Sequence, residues 1–349
     1  MKFKSDNCAG AHPKICENMT ANASGFASSY GASDLDNRVR DKFSELFDRD
    51  VAVFFVGTGT AANSLALTAV NRPGGVVFCH PEAHMAEDEC GAPEYFTGGA
   101  RLCGVDGPLG RMDIEKLQPA IDHFPADFIH AGQPMAVSIT QSTEIGTLYS
   151  LDQIEAVSAI CRKNGLPLHM DGARFANAMV SLDVSAKQMT VDAGIDMISF
   201  GGTKNGCWCA EALIFLNTDL ARDAAFLHKR AAQLFSKSRF IAAQFEAYFS
   251  NDLWIELATH SNAMAARLVA GLEQSSNCRM AWQPEANEVF PIIGRQTITK
   301  LEAAGAEFHE WPKPRSFDGE IGEDEELCRL VTSFATTKDD VDRFCELAG

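Results

Sequence analysis

An acid and an amine stand at matching places behind two short apolar runs. LPLHM (166–170) leads into Asp171-Gly172 with Arg174 just beyond, and DMISF (196–200) leads into Gly201-Gly202-Thr203-Lys204-Asn205-Gly206. Each run is brief, apolar and followed by glycine-containing loop sequence, which reads as a buried strand. In an open α/β sheet, chemistry gathers outside the carboxyl ends of the strands. Two parallel neighbours would therefore turn Asp171 and Lys204 toward one crevice. Pyridoxal 5′-phosphate (PLP) uses such a pair: a lysine amine forms its Schiff base, and a carboxylate keeps the pyridine nitrogen protonated so that the ring accepts electrons. Glycines beside the lysine let a ring approach the backbone closely. Each residue also has a plain structural explanation, Asp171 as the cap of a helix beginning at Ala173 and Lys204 as an exposed loop lysine.

A phosphate site is the next requirement. The strand-like VAVFFV (51–56) runs into Gly57-Thr58-Gly59-Thr60-Ala61-Ala62-Asn63, which opens the helix SLALTAV. Free N–H groups and the dipole at such a helix start favour an anion, with Gly59 and Thr60 nearest to it. The pattern is neither a Walker A loop nor a dinucleotide G-x-G-x-x-G. GGVVFCH (74–80) is another short strand, followed by PEAHMAEDECGAPEYF. His84 and Glu89 are expected at the start of a helix favoured by Glu87-Asp88-Glu89. An imidazole at His84 is a structural residue, a stacking partner for a cofactor ring or a proton-transfer group. Farther on, Lys229, Arg230, Lys237 and Arg239 lie in a helical stretch, either as a solvated face or as a cation for the phosphate across a subunit boundary. Arg329 sits in a strand beside Leu327, Leu330 and Val331, where an arginine requires an anionic partner. A structural carboxylate or a substrate carboxylate in a cleft between domains would satisfy it.

The elements that position these groups follow a strand-helix rhythm. RLCGVDG, ADFIHAG, MAVSIT and EALIFLN (211–217) join the strands above, with helices at VRDKFSELF, after Asp113, and from an N-cap at Asp152 to a stop at Gly165. Such alternation predicts an α/β fold with a mostly parallel sheet flanked by helices. DLARDAAFLHKRAAQLFSKSRFIAAQFEAYFSND reads as long helices. The composition changes near Asp252, which divides the 349 residues into an N-terminal arm with a large domain (1–251) and a small C-terminal α+β domain (252–349). Residues 1–36 are small and polar, an arm in which Ser5, Asp6 and Tyr30 stand out.

With 30 Lys and Arg against 47 Asp and Glu, the formal charge is −17, which disfavours nucleic acid and anionic membrane as partners. No apolar run approaches the roughly 20 residues of a membrane span, and MKFKSDNCAG lacks the apolar region of a signal peptide. Eleven scattered cysteines fit reduced thiols in the cytoplasm. Cys207 with Cys209, and Cys8 with Cys16, have no zinc-ligand spacing, and no metal is assigned.

Eight motifs stand in order along the chain: FKSDN, SSYGASD, GTGTAAN, AHMAEDECGAP, ITQSTEIGTLY, LHMDGARFANA, SFGGTKNG and RLVTSFATT. With them the chain resembles the low-specificity L-threonine aldolases and their L-phenylserine aldolase relatives over essentially its whole length. The resemblance implies a fold-type I, aspartate-aminotransferase-like PLP enzyme. It further implies an aldehyde-lyase that cleaves L-threonine, L-allo-threonine or L-phenylserine to glycine and an aldehyde. Another PLP-dependent β-eliminating lyase, or an aminotransferase acting on a small amino acid, is the alternative. By resemblance, Lys204 forms the Schiff base, Asp171 pairs with the pyridinium nitrogen, His84 lies on the ring, and Gly59 and Thr60 sit under the phosphate with Arg230 as a further contact. Arg174, beside the cofactor, would fix the substrate carboxylate together with Arg329 and Ser5, and Tyr30 would reach a neighbouring subunit's site in a dimer of dimers. Glu144 in QSTEIG stands where some members have histidine, so a histidine acid/base role does not carry over. The base for the β-hydroxyl is then His84, Glu144 or an ordered water.

Overall fold

Short runs rich in β-branched and aromatic residues become strands here because helices cover them on both faces. The computed structural model describes residues 1–125 and 127–349. Its larger sheet contains β1 (Ala52–Val56), β2 (Gly75–Cys79), β3 (Arg101–Gly104), β4 (Gln133–Thr140), β5 (Leu168–Gly172), β6 (Met197–Gly201) and β7 (Glu211–Phe215), in the order β1-β7-β6-β5-β4-β2-β3. Strands β2, β5, β6 and β7 are buried at every residue, as a sheet covered on both faces requires. Pairing is parallel from β6 through β5, β4 and β2 to β3, while β7 runs antiparallel to both β6 and β1. Strand β1 therefore points the same way as β6. The carboxyl ends of β1, β2, β4, β5 and β6 all open on one edge.

That edge is braced from beneath by aromatic packing. Phe43, on the helix Asp34–Phe47, meets Phe200 of β6, Phe245 and Phe249 edge-on, with ring centroids 5.2, 5.3 and 5.1 Å apart. Ser33 and Asp36 form a reciprocal capping box that fixes where this helix starts. The aromatic group also takes in Tyr248 and Trp254, and both reach the turn after β6. Asn205 donates from Nδ2 to Tyr248 Oη at 2.8 Å and to the Trp254 carbonyl at 2.9 Å.

The second sheet is antiparallel, with β8 (Cys278–Met280), β9 (Glu288–Val289), β10 (Pro291–Gly294), β11 (His309–Glu310) and β12 (Glu325–Val331). The helix Leu253–Leu272 packs on the helix Phe175–Leu182 of the large unit and on the helix Lys338–Ala348 of the small one. We propose the division between units at 251/252, just before that helix. The first residues of the chain cross it: Phe3 is buried in the second core and bonds to Glu307 and Val331 through its backbone. Among the described residues no helix is long and apolar enough to cross a membrane.

Local boundaries differ from expectation in four places. The cap before Leu151–Asn164 is Ser150, whose hydroxyl accepts the Gln153 N–H, so Asp152 falls inside the first turn. The helix begun by His84 ends at Glu87, which leaves Glu89 in the following turn, where its carboxyl can fold back. The long basic stretch is broken into Ala224–Arg230 and Arg239–Phe249, with Ala232 in left-handed conformation between them. Within ADFIHAG, Ala126 lies outside the described residues, and 127–132 forms turns ahead of β4 instead of a strand.

Phe43 is fully buried. Phe43→Ala is expected to cost about 3–5 kcal/mol, read as a lower midpoint in urea unfolding.

Candidate active site

Asp171 ends β5 and Lys204 follows β6, and β5 and β6 are paired in parallel with Asp171 opposite Ser199. The two groups therefore share one edge of the sheet, as expected. Asp171 is buried, and each of its oxygens has one protein donor: Oδ1 accepts the Ala173 N–H at 3.0 Å, and Oδ2 accepts from Asn63 Nδ2 at 2.8 Å. The cap-like bond to Ala173 is present, although the helix itself begins at Phe175. Beneath Asp171 on the same strand face lies His169, held between the Ser138 and Ser199 hydroxyls at 2.9 Å each. Burial pushes its imidazole down to about 4, so it is neutral at physiological pH.

Lys204 sits in the short 3-10 turn Thr203–Asn205 and is half-buried. Thr203 donates its N–H to Glu211 Oε1 at 3.2 Å and accepts the Ala210 N–H at its hydroxyl, while Gly206, at φ 106°, lets the chain reverse. A Cβ at Gly201 would stand 2.5 Å from the Ala173 carbonyl, so only glycine permits this approach of β6 to the Asp171 loop. Burial raises the Glu211 carboxyl to about 7 against the opposing pull of Thr203 and Lys204.

At the end of β1, the helix Gly59–Ala69 starts from Thr58, whose hydroxyl accepts the Ala61 N–H. Among the described residues no acceptor faces the Gly59 and Thr60 N–H groups, and a Cβ at Gly59 would meet nothing within 4 Å. The preceding Gly57 N–H is taken by Gln233 Oε1 at 3.0 Å. A free helix start, a buried carboxylate and a half-buried amine together fit PLP: the first for its phosphate, the second for its ring nitrogen and the third for its aldehyde.

His84 Nδ1 lies 2.9 Å from Glu89 Oε1, and the same oxygen accepts from Asn63 Nδ2 at 2.7 Å. Glu89's hydrogen bond, opposed by burial, raises the imidazole's proton affinity, with Glu144 and Asp171 adding to it and Lys204 subtracting. His84 keeps 29% of its side chain exposed, whereas Glu89 keeps none. Glu144 is buried in the loop after β4. Asn63 escapes the sequence reading, although an amide among the alanines and leucines of a buried helix is a legible signal.

Arg174 is not a free cation. Its Nε and Nη2 hold both Asp6 oxygens at 2.7 and 3.2 Å, and Nη1 lies 3.0 Å from Glu288 Oε2, an ion-pair contact outside hydrogen-bond geometry. Burial opposes ionisation of Asp6, but Arg174, Lys204 and the bond from Asn287 outweigh it and hold that carboxyl below its usual range. Glu288 is pushed up to about 7, chiefly by burial, with Arg174 pulling the other way. Ser5 neighbours this pair, half-buried, its hydroxyl accepting the Asn7 N–H at 3.1 Å. Arg329 behaves oppositely. No carboxylate pairs with it among the described residues; its guanidinium lies 4.1 Å above the Trp311 ring, and its buried Nε has no partner.

The remaining expected residues stand apart within this single chain. Tyr30 is exposed under the Lys229 ammonium, 5.1 Å from the ring centroid, and Arg230 is exposed over Phe226 at 5.9 Å.

Comparison with known proteins follows the same lines. A family model described as Beta-eliminating lyase matches residues 2–293. The chain is 39% identical to the low specificity L-threonine aldolase of Pseudomonas aeruginosa over 350 aligned positions, covering 99% of this chain and 96% of that one. The low specificity L-threonine aldolase of Pseudomonas sp. (strain NCIMB 10558) is 38% identical over 88% of each chain. Among solved structures, the Leishmania major threonine aldolase superposes with a TM-score of 0.91 at 31% identity, covering 99% of this chain and 98% of its own.

A carboxyl with a higher pKa in the folded than in the unfolded state holds its proton more tightly when folded, so its share of stability declines as pH rises between the two values. For Glu288 that window runs from the ordinary 4.5 to about 7. Glu288→Gln is expected to lose less stability than wild type between about pH 5 and about pH 8, measured by urea unfolding at both. Equal losses would contradict the assignment.

Proposed function

Because the chain belongs to the beta-eliminating lyase family, a PLP-dependent family of fold type I, and matches low-specificity L-threonine aldolases along its whole length, we propose that it cleaves L-β-hydroxy-α-amino acids to glycine and an aldehyde. The observation that carries this reading is the placement of Asp171 and Lys204 at the carboxyl ends of adjacent parallel strands, beside the unpartnered N–H groups of Gly59 and Thr60.

Bound there, the cofactor supplies an electron sink for the carbon that carries the substrate's amino group. Lys204 would offer its amine to the cofactor's aldehyde carbon, and Asp171, braced by Asn63, would face the ring nitrogen. Gly59 and Thr60 hold the phosphate by their N–H groups. Arg329, stacked on Trp311 with an unpartnered Nε, takes the substrate carboxylate with Ser5 beside it, and this fixes the orientation of the bond to be broken. Arg174, already paired with Asp6 and Glu288, supports that arrangement from behind.

At the β-hydroxyl, His84 is the base. Its Nδ1 is engaged by Glu89, so Nε2 is the nitrogen left to accept the proton, and Glu89 stabilises the resulting imidazolium. Glu144 raises the proton affinity of the same imidazole. A homo-oligomer completes the site: Tyr30 and Arg230, both exposed in the single chain, act across a subunit boundary. Eleven free cysteines favour a reducing compartment, the cytoplasm.

Purified protein reconstituted with PLP is expected to release glycine and aldehyde in equal amounts from L-threonine, L-allo-threonine or L-threo-phenylserine. A keto acid with ammonia would instead identify a β-eliminating enzyme. Lys204→Ala should abolish turnover and leave the circular dichroism spectrum unchanged; wild-type cleavage by this variant would sink the proposal. Arg329→Ala should raise KM by about 10–100-fold, the loss of a hydrogen-bonded charge pair worth roughly 1.5–3 kcal/mol. An unchanged KM would assign the carboxylate to another residue.

A further inference from the structure

One buried amide stands between two carboxylates. Asn63, 1% exposed on the first turns of the helix after β1, presents Nδ2 to Glu89 Oε1 at 2.7 Å and to Asp171 Oδ2 at 2.8 Å. An amide nitrogen has two hydrogens, and each is directed at a different acid. The orientation of the amide is thereby decided, because its oxygen could not face two carboxylates. Glu89, buried and without exposed side-chain surface, uses the same Oε1 to hold His84 Nδ1 at 2.9 Å. A continuous chain results: His84, Glu89, Asn63, Asp171. Its two ends are the groups assigned above to the face and to the nitrogen of the cofactor ring.

We propose that Asn63 and Glu89 are positioning residues that bind His84 and Asp171 into one hydrogen-bonded unit, Glu89 setting the orientation and proton affinity of His84 and Asn63 holding Asp171 to the cofactor's ring nitrogen. The inference rests on the PLP site described under the proposed function. Physically, Asn63 removes the repulsion that two neighbouring acids would otherwise feel in a dry pocket. Glu89 cannot rotate away, since its one bonded oxygen is shared between an imidazole and an amide. The charged groups that act on His84 are Glu89 from the adjoining turn, Glu144 from the loop after β4, Asp171 from the end of β5 and Lys204 from the turn after β6. Among these only Glu89 touches the ring.

The test uses the holoenzyme labelled with ¹⁵N-histidine, in which His84→Gln identifies the His84 resonance among nine histidines. Glu89→Gln keeps the shape of the side chain and removes its charge. Its His84 pKa should fall by about one unit or more, the usual effect of removing an opposite charge at contact distance. An unmoved His84 titration would overturn the role given to Glu89. If His84 titrates lower and the acidic limb of the kcat/KM profile moves with it, both the unit and the base assignment stand. If the titration moves and the limb does not, the unit stands and His84 is not the base. Asn63→Ala should weaken PLP binding by about tenfold, the equivalent of one hydrogen bond to a charged group, read by fluorescence titration of the cofactor-free protein. Wild-type PLP affinity in that variant would overturn the link to Asp171. Should Asn63→Ala fail to fold, Asn63→Leu, which keeps the bulk of the side chain and removes both donors, carries the same measurement.

Discussion

Charge cannot be buried alone, and the sheet edge described here buries Asp171, Glu89, Asp6, Glu288 and Glu211, with Glu144 beside them. Four find donors: Asp171 has Asn63 and Ala173, Glu89 has His84 and Asn63, Asp6 has Arg174 and Asn287, and Glu211 has the Thr203 N–H, while Glu288 has only the ion-pair contact with Arg174. The desolvation cost of a carboxylate exceeds what one ordinary hydrogen bond returns. Where donors are fewer, burial prevails, and Glu211 and Glu288 are raised to about 7.

That arrangement depends on backbone placed to within a fraction of an ångström, and the placement comes from apolar packing. Phe43, Phe200, Phe245 and Phe249 interlock under the end of β6, and Tyr248 and Trp254 carry the contact to Asn205. Lys204 is flanked by Thr203 and Asn205, both bonded to neighbouring elements, so its amine projects from a turn with little freedom of its own. Rigidity beneath and a free amine above are complementary. A reactive side chain on a mobile loop would pay for its orientation at every encounter.

Much of this was legible in the chain itself, for reasons that differ by residue. Asp171, Lys204 and the Gly59 helix start announce themselves because strand ends and glycine turns have short-range signatures, and the parallel sheet follows from the alternation of strands and helices. The pairing of Arg174 has no local signature: its partners Asp6 and Glu288 lie 168 residues before it and far after it. Asn63 and Glu89 acquire meaning only from each other, 26 residues apart. The break at Ala232 likewise has no strong local signal, since alanine seldom adopts the left-handed backbone found there.

Arg329 shows how a fold can keep one cation available among so many acids. Had it faced a carboxylate, the pair would have neutralised it, as Asp6 and Glu288 neutralise Arg174. It lies instead on the face of Trp311, 4.1 Å from the ring centroid. Stacking satisfies the flat surface of a guanidinium and leaves its edge, where all five donors point, unengaged. The ring quadrupole stabilises the charge without removing it. An aromatic neighbour therefore does what a salt bridge cannot: it holds an arginine half-buried and leaves its charge unneutralised.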